Sequence, residues 1–478
     1  MPSDGPADRS AESTPAPTTG QRAWRTLCRV LARTFYRRVE VTGTERLSLD
    51  GPVILCANHV NALADAVVAQ AAVPRPIHPI ARSGLFRNPL LRPILRLIQA
   101  VPVHRRHPGR DTREQNRKTF ERCFEYLEQG RVLLIFPEGQ SHSDPSLRPL
   151  KTGAARLALG HLERTGEVPV VMPLGLTFTH KGRFRAHVLA QVGEPIPVTP
   201  VLDSVPIDSE DATDEELRTA EEARVQQLTD SILRGLQGVT LNVDSWEDLA
   251  LLKLMQQFFA LRAGRGERLS LERRFRSFRR LLEAHRALRA AWPERVEALR
   301  SKLRRFEALC RRYGVRDYQL ELRYTPGVVA RFTARTLLFL LFVVPPALWG
   351  LVNSLLPYLA TREVSRRAAR ARDQYDTAGM LFGLAFFGGF WGAQTFAVFW
   401  LWGSLPAGLY ALSLPITGLV ALEVSRERQR IQEEVRVFLL FVRRRELRAY
   451  LRARRKELEE ELARMARLAK RAKDRLTA

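Results

Sequence analysis

Cysteine is scarce in this chain: Cys28, Cys56, Cys123 and Cys310 are the only four in 478 residues. No two are close enough to form a C-x-x-C pair, so neither a dithiol redox motif nor a zinc-ligand spacing is present. That scatter argues against a disulfide framework and for chemistry on the reducing, cytoplasmic side. Negative charge is also in short supply. Lys and Arg number 76 against 51 Asp and Glu, a formal charge of +25. Such an excess points to a polyanionic partner: anionic lipid headgroups, a phosphorylated substrate or nucleic acid. The Arg-rich stretches 272–312 and 443–456 lack aromatics interleaved at base-stacking density, which argues against nucleic acid and for a solvated helical bundle at 272–312. The first 20 residues have no continuous apolar stretch. Rich in Pro, Ser, Thr, Ala and Gly, they match no secretory signal and are expected to form a disordered tail.

What the chain does contain is order. Residues 21–35 set Trp24, Leu27, Val30, Leu31 and Phe35 at helical spacing between arginines. This reads as an amphipathic helix, either on the protein surface or on anionic lipid. Apolar or β-branched runs then alternate with helical patterns. Strands are expected at 38–42, 52–55, 78–82, 101–103, 132–136 and 168–174, with closing strands at 184–192 and 194–198. Helices are expected after His59, at 85–98, at 113–129 and near 152–164. Alternation of this kind predicts an α/β fold, a sheet flanked by helices, over residues 21–240. A basic helical region follows over 241–330.

Long apolar segments occupy 331–425. Thr336–Ala360 carries Pro345-Pro346 at its centre. Thr377–Leu422 is broken at Gly403-Ser404-Leu405-Pro406, leaving room for two spans near 378–401 and 406–422. The linker Thr361–Asp376 holds five arginines, and another dense Arg series follows 422. By the positive-inside rule both flanks are cytoplasmic, as is the α/β domain that precedes them. The first run then enters and leaves on one side, as a re-entrant element turned by the double proline. Residues 426–478 read as a charged helical tail, in a coiled coil or on a lipid surface.

Four clusters lie at or near strand ends between residues 58 and 174. They are Asn58-His59 with Asp65; Val103-His104-Arg105-Arg106; Phe136-Pro137-Glu138-Gly139-Gln140-Ser141-His142 with Leu150-Lys151-Thr152-Gly153; and Val168-Pro169-Val170-Val171-Met172-Pro173. Strand ends of an open α/β sheet gather at one crevice. An imidazole titrates near neutrality and takes a proton from an attacking hydroxyl, and a carboxylate holds the ring in one tautomer. Six positions do not share a helix face, so His59 and Asp65 meet only if the backbone between them turns. Arg105 and Lys151 are suited to phosphate, and Gly139 lets backbone N–H groups approach a ligand. His104 and His142 read as supporting or exposed groups.

In this order the four clusters resemble the four blocks of the glycerophosphate acyltransferase superfamily, over roughly residues 50–200. His-x-Asn-x-x-x-Asp, Glu-Gly-x-Ser-His and Leu-Lys-x-Gly are most similar to its membrane-bound members that act on glycerol 3-phosphate and dihydroxyacetone phosphate. Most of the superfamily has four residues between His and Asp; here there are five, Val60 to Ala64. The resemblance implies an acyltransferase-type sheet followed by helical and membrane-embedded segments. It implies transfer of a fatty acyl group from an acyl thioester, on coenzyme A or acyl-carrier protein, to a glycerol-phosphate hydroxyl. His59 would be the base and Asp65 its orienting group. Arg105, Glu138, Gly139, Ser141 and Lys151 would shape the substrate site. No metal or redox cofactor is implied, and anionic membrane lipids are the expected surroundings. A lysophosphatidate acceptor is the nearest alternative, and a non-catalytic basic membrane scaffold the alternative of another class.

Overall fold

The computed structural model describes residues 16–47, 50–89, 91–104, 113–204, 213–262, 270–321, 325–369 and 374–477. Of the expected tail, residues 1–15 lie outside the described residues. Contacts divide the chain into two compact units, Met1–Asn242 with Ala369–Met380, and Val243–Ala368 with Leu381–Ala478.

The first unit is built from α1 (Thr19–Phe35), β1 (Arg38–Thr42), β2 (Val53–Ala57), α2 (Leu63–Ala72), β3 (Ile77–Arg82), α3 (Arg92–Leu97), β4 (Val101–Val103), α4 (Arg113–Glu128), β5 (Val132–Ile135), α5 (Gly153–Thr165), β6 (Val170–Phe178), β7 (His187–Val192), α6 (Thr199–Ser204) and α7 (Asp214–Val239). The seven strands form one sheet in the order β1-β7-β6-β2-β5-β3-β4. Every pairing is parallel except β6 with β7. Parallel strands covered on both faces are apolar throughout, and all five residues of β2 are buried. Their alternation divides them between two cores. Val53, Leu55 and Ala57 face Tyr36, Ala64 and Val68, whereas Ile54 and Cys56 face Leu127, Ala155, Ala158 and Leu228. Each of the buried Val, Leu and Ile side chains among them contributes about 1.5–3 kcal/mol. The central strand is therefore held from both sides, and the loop leaving Ala57 starts from a fixed point.

Two expectations are corrected. The helix expected over 85–98 is confined to α3, after a 3-10 turn at Ser83–Arg87, because Pro89 and Pro93 interrupt it. The strand expected at 194–198 is only a bridge between Val171 and Ile196. Pro195 and Pro197 remove the ladder donors on either side.

His78 on β3 is buried against the edge of the Tyr126 ring, with Nδ1 3.0 Å from the Ile98 carbonyl. Burial lowers its pKa from 6.5 to about 4, with Arg131 and Arg75 adding to the effect and the Ile98 hydrogen bond opposing it. The unfolded chain therefore takes up a proton below pH 6.5 that the folded chain refuses until pH 4. Stability is complete above pH 6.5 and falls by about 3 kcal/mol on descending to pH 4. Urea midpoints of the detergent-solubilised protein, compared with those of His78→Asn, will isolate this contribution. Parallel pH curves for the two proteins would refute it.

The second unit is helical: α8 (Trp246–Arg262), α9 (Leu271–Ala291), α10 (Pro293–Tyr313), α11 (Asp317–Glu321), α12 (Pro326–Phe342), α13 (Val344–Ala368), the later turns of α14 (Tyr375–Trp402), α15 (Ser404–Arg443) and α16 (Arg445–Thr477). Its charged helices are joined at buried Asp248, which accepts from Ser245 at 2.8 Å and pairs with His285, Arg289 and Arg300. The tail α16 packs one face into this unit rather than standing apart. It buries Leu451, Leu458, Leu462, Met465 and Ala469 as one stripe, and Arg455 is paired with Asp317 at 2.6 Å. Helices α14 and α15 are each long and apolar enough to cross a membrane, and α12 with α13 qualifies only as a pair bent by 48°. The bend lies just before Pro345-Pro346.

Candidate active site

The register of β2 on β5 places Cys56 opposite Ile135, so the loops leaving these parallel strands emerge side by side. His59 comes from the first loop and Glu138 from the second. The His59 backbone N–H donates to Glu138 Oε1 at 2.7 Å, and the imidazole stacks on Phe136 with centroids 4.1 Å apart. Asn58 fixes the other side. Its side chain donates to the Leu176 carbonyl of β6 and accepts from the Leu176 N–H at 2.7 Å.

The five-residue spacer between His59 and Asp65 closes through Ala62, at φ 48° and ψ −128°. This left-handed position lets the chain reverse before α2 begins at Leu63, and Asp65 falls in the first turn of that helix. Asp65 is fully buried, and a single oxygen collects three donors. Oδ2 accepts from Val60 N at 2.8 Å and Asn61 N at 2.7 Å, and lies 2.9 Å from His59 Nδ1. A carboxylate only accepts, so His59 Nδ1 carries the proton and Nε2 presents its lone pair. The His59 side chain is 19% exposed, which leaves the ring accessible. A non-glycine residue held in this backbone region costs about 1–3 kcal/mol. Ala62→Gly is expected to keep activity and lose no stability, whereas Ala62→Val loses about 2 kcal/mol and most turnover. Thermal midpoints and rates of both variants measure this. A fully active and stable Ala62→Val would show that the turn does not need the conformation.

The resemblance places Glu138 among the substrate-site residues; in the structure both its oxygens are engaged by protein. Besides His59 N, its carboxylate takes Arg148 N at 2.9 Å and His142 Nε2. His142 Nδ1 accepts from Asp144 N at 3.1 Å, so its proton sits on Nε2 and points at Glu138. Glu138 is thus the clasp between the two loops. Gly139 adopts φ 74° at the exposed tip of its loop, with Ser141 half-buried beside it. Lys151 is exposed; its backbone N–H donates to Pro137 at 2.7 Å, and its stem passes over Gly139. Arg105 lies outside the described residues. Among the described residues no cluster of three or more His, Cys, Asp or Glu side chains is arranged for a metal ion.

Sequence reasoning passed over Tyr36 and Asp376 and gave Asn61 no role. The buried Tyr36 hydroxyl lies 3.3 Å from Asn61 Nδ2. Burial raises its pKa, with Asp376 and Asp65 adding to the rise, so the phenol keeps its proton.

Comparison with known proteins gives the same region a context. Residues 38–177 match the protein family described as Acyltransferase. Glycerol-3-phosphate O-acyltransferase 1 of Saccharomyces cerevisiae is 31% identical over 141 residues, 29% of this chain and 17% of that protein. Glycerol-3-phosphate O-acyltransferase 2 of the same yeast is 32% identical over 145 residues, 30% of this chain and 18% of that one. The 1-acyl-sn-glycerol-3-phosphate acyltransferase of Bacillus subtilis is 28% identical over 133 residues, covering 28% of this chain and 60% of that enzyme. The matches therefore span under a fifth of the yeast proteins' length, and the family match lies within the first unit.

Proposed function

We infer that the acyltransferase-family domain at residues 38–177 makes this chain a membrane-associated O-acyltransferase, moving a fatty acyl group from an acyl thioester to a hydroxyl of glycerol 3-phosphate or dihydroxyacetone phosphate. The observation that carries the reading is the convergence of His59 Nδ1 and two backbone N–H groups on one oxygen of buried Asp65. His59 Nε2 takes the proton of the acceptor hydroxyl as its oxygen attacks the thioester carbonyl. Asp65 stabilises the imidazolium formed. Collapse of the tetrahedral intermediate breaks the C–S bond, and the thiolate leaves with the proton from Nε2, giving an ester and a free thiol. Lys151, with Arg105, supplies positive charge for the acceptor phosphate, and Gly139 and Ser141 line its approach. Glu138 serves by holding the loops. Helices α14 and α15 keep the enzyme at the bilayer, where its acyl product resides. The five arginines of 361–376 favour a cytoplasmic catalytic face.

A lysophosphatidate acceptor is the second reading, supported by the Bacillus relative. One experiment separates them. Sealed vesicles of both orientations receive a labelled acyl thioester and, in turn, glycerol 3-phosphate, dihydroxyacetone phosphate and lysophosphatidate. Transfer to one of the first two, in vesicles exposing the cytoplasmic face, is expected. Transfer to lysophosphatidate alone would replace the acceptor, and transfer to none would remove the enzyme reading in favour of a scaffold.

A further inference from the structure

The catalytic turn is completed by a residue more than 300 positions further along the chain. Residues 369–380 belong by their contacts to the first unit, although the segments before and after them belong to the second. Asp376, in the first turn of α14, is fully buried, and its Oδ2 accepts from Asn61 Nδ2 at 2.6 Å. The Tyr36 hydroxyl lies 3.4 Å from the same oxygen. One residue on, Thr377 Oγ1 accepts from the Ala64 N–H at 3.2 Å. Met380 joins the core around Phe35 and Tyr36. Asn61 is therefore gripped at both ends. Its backbone N–H donates to Asp65 Oδ2, and its side chain donates to Asp376.

We propose that Asp376 is a positioning residue of the acyltransferase site, fixing Asn61 so that Asp65 and His59 stay in register. The alternative is that Asp376 merely seats a helix. Two features favour positioning. Besides Tyr36 and the Gly182 backbone, Asp376 binds, at 2.6 Å, a residue of the catalytic turn itself, next to Ala62 in its strained backbone, where a free Asn61 would let the turn relax. Moreover, the neighbouring Thr377 bonds the same turn from the same helix, so two side chains converge on the segment between His59 and Asp65. A carboxylate also suits the positive end of a helix dipole, so the residue costs α14 little. An error of about 1 Å in placing a catalytic base lowers rates about 100-fold.

The inference rests on the acyltransferase reading, and its test keeps the two apart. The full-length enzyme in membranes is assayed for kcat and both KM values as wild type, Asp376→Ala, Asp376→Asn, Asp376→Glu, Asn61→Ala, the Asn61→Ala/Asp376→Ala pair and His59→Ala. Asp376→Ala and Asn61→Ala are each expected to lower kcat about 10-fold or more with KM values within about twofold, because placement of the base and not substrate binding is lost. The pair should be no worse than its worse member, since both remove one link. Asp376→Asn retains an acceptor oxygen and should keep at least about a third of the wild-type kcat. Asp376→Glu is one methylene too long and should lose activity while still assembling, which decides the question should the alanine variant not accumulate. Wild-type kcat per folded molecule in Asp376→Ala or Asp376→Glu, or losses that multiply in the pair, would overturn the positioning role. If His59→Ala is also fully active, the acyltransferase reading itself has failed. If His59→Ala is dead and Asp376→Ala normal, only the positioning role has.

Discussion

Replacing His59 by alanine is expected to lower acyl transfer at least about 1,000-fold with the protein still folded and membrane-bound. The imidazole presents an accessible lone pair at this site, and its ring contributes little to the core beyond stacking on Phe136. Two variants of its partner sharpen the test. All three donors at Asp65 converge on Oδ2. An Asp65→Asn side chain can set its carbonyl oxygen in that place and keep the turn, but it no longer carries the charge that stabilises the imidazolium. Its expected loss is about 100-fold or more, with a smaller loss of stability than the alanine variant, since only its own amide N–H is left without a buried acceptor. Asp65→Ala orphans two buried backbone N–H groups as well, at about 1–3 kcal/mol each, and should be both inactive and less stable. Rates per folded molecule and urea midpoints distinguish the three. Wild-type rates in His59→Ala would end the proposed mechanism.

The second large effect is expected at Glu138. Its carboxylate accepts from His59 N, Arg148 N and His142 Nε2, and each of these donors loses its acceptor if the carboxylate goes. Truncation to alanine should cost about 3–5 kcal/mol, the usual penalty for breaking a buried, charge-assisted network. Glu138→Gln tests function more finely. Its amide presents one acceptor and one donor, so one side of the clasp must fail. If the side facing His59 fails, the loop after β2 shifts and kcat falls about 10- to 100-fold while acceptor KM changes little. A rise in acceptor KM with kcat unchanged would instead return Glu138 to the substrate site.

Much of the first unit is legible in the sequence, because a buried parallel strand must be apolar throughout. Val132–Ile135 and Val53–Ala57 stand out for that reason. The turn to Asp65 is anticipated from its spacing, since six residues cannot share a helix face, but the device that makes it is not. An alanine announces no positive φ; a glycine at position 62 would have. The role of Glu138 is hidden for a different reason. A carboxylate after Pro137 looks the same whether it faces substrate or three buried donors, and only the parallel register of β2 and β5 decides. Asp376 is the extreme case. A lone acid at the head of an apolar run reads as a helix N-terminal residue, and no local periodicity connects it to Asn61.

That long-range link also bears on how the chain can be divided. A fragment ending at residue 242 holds every strand of the sheet and the whole His-to-Asp motif, yet it omits the wedge at 374–380 that seals Phe35, Tyr36 and Asn61 from solvent. Swaps between homologous proteins that cut just after the first turns of α14 would keep the stitch, whereas a cut before Tyr375 would sever it. The first unit is discontinuous in sequence, and its last piece is translated only after the bent helix pair that precedes it.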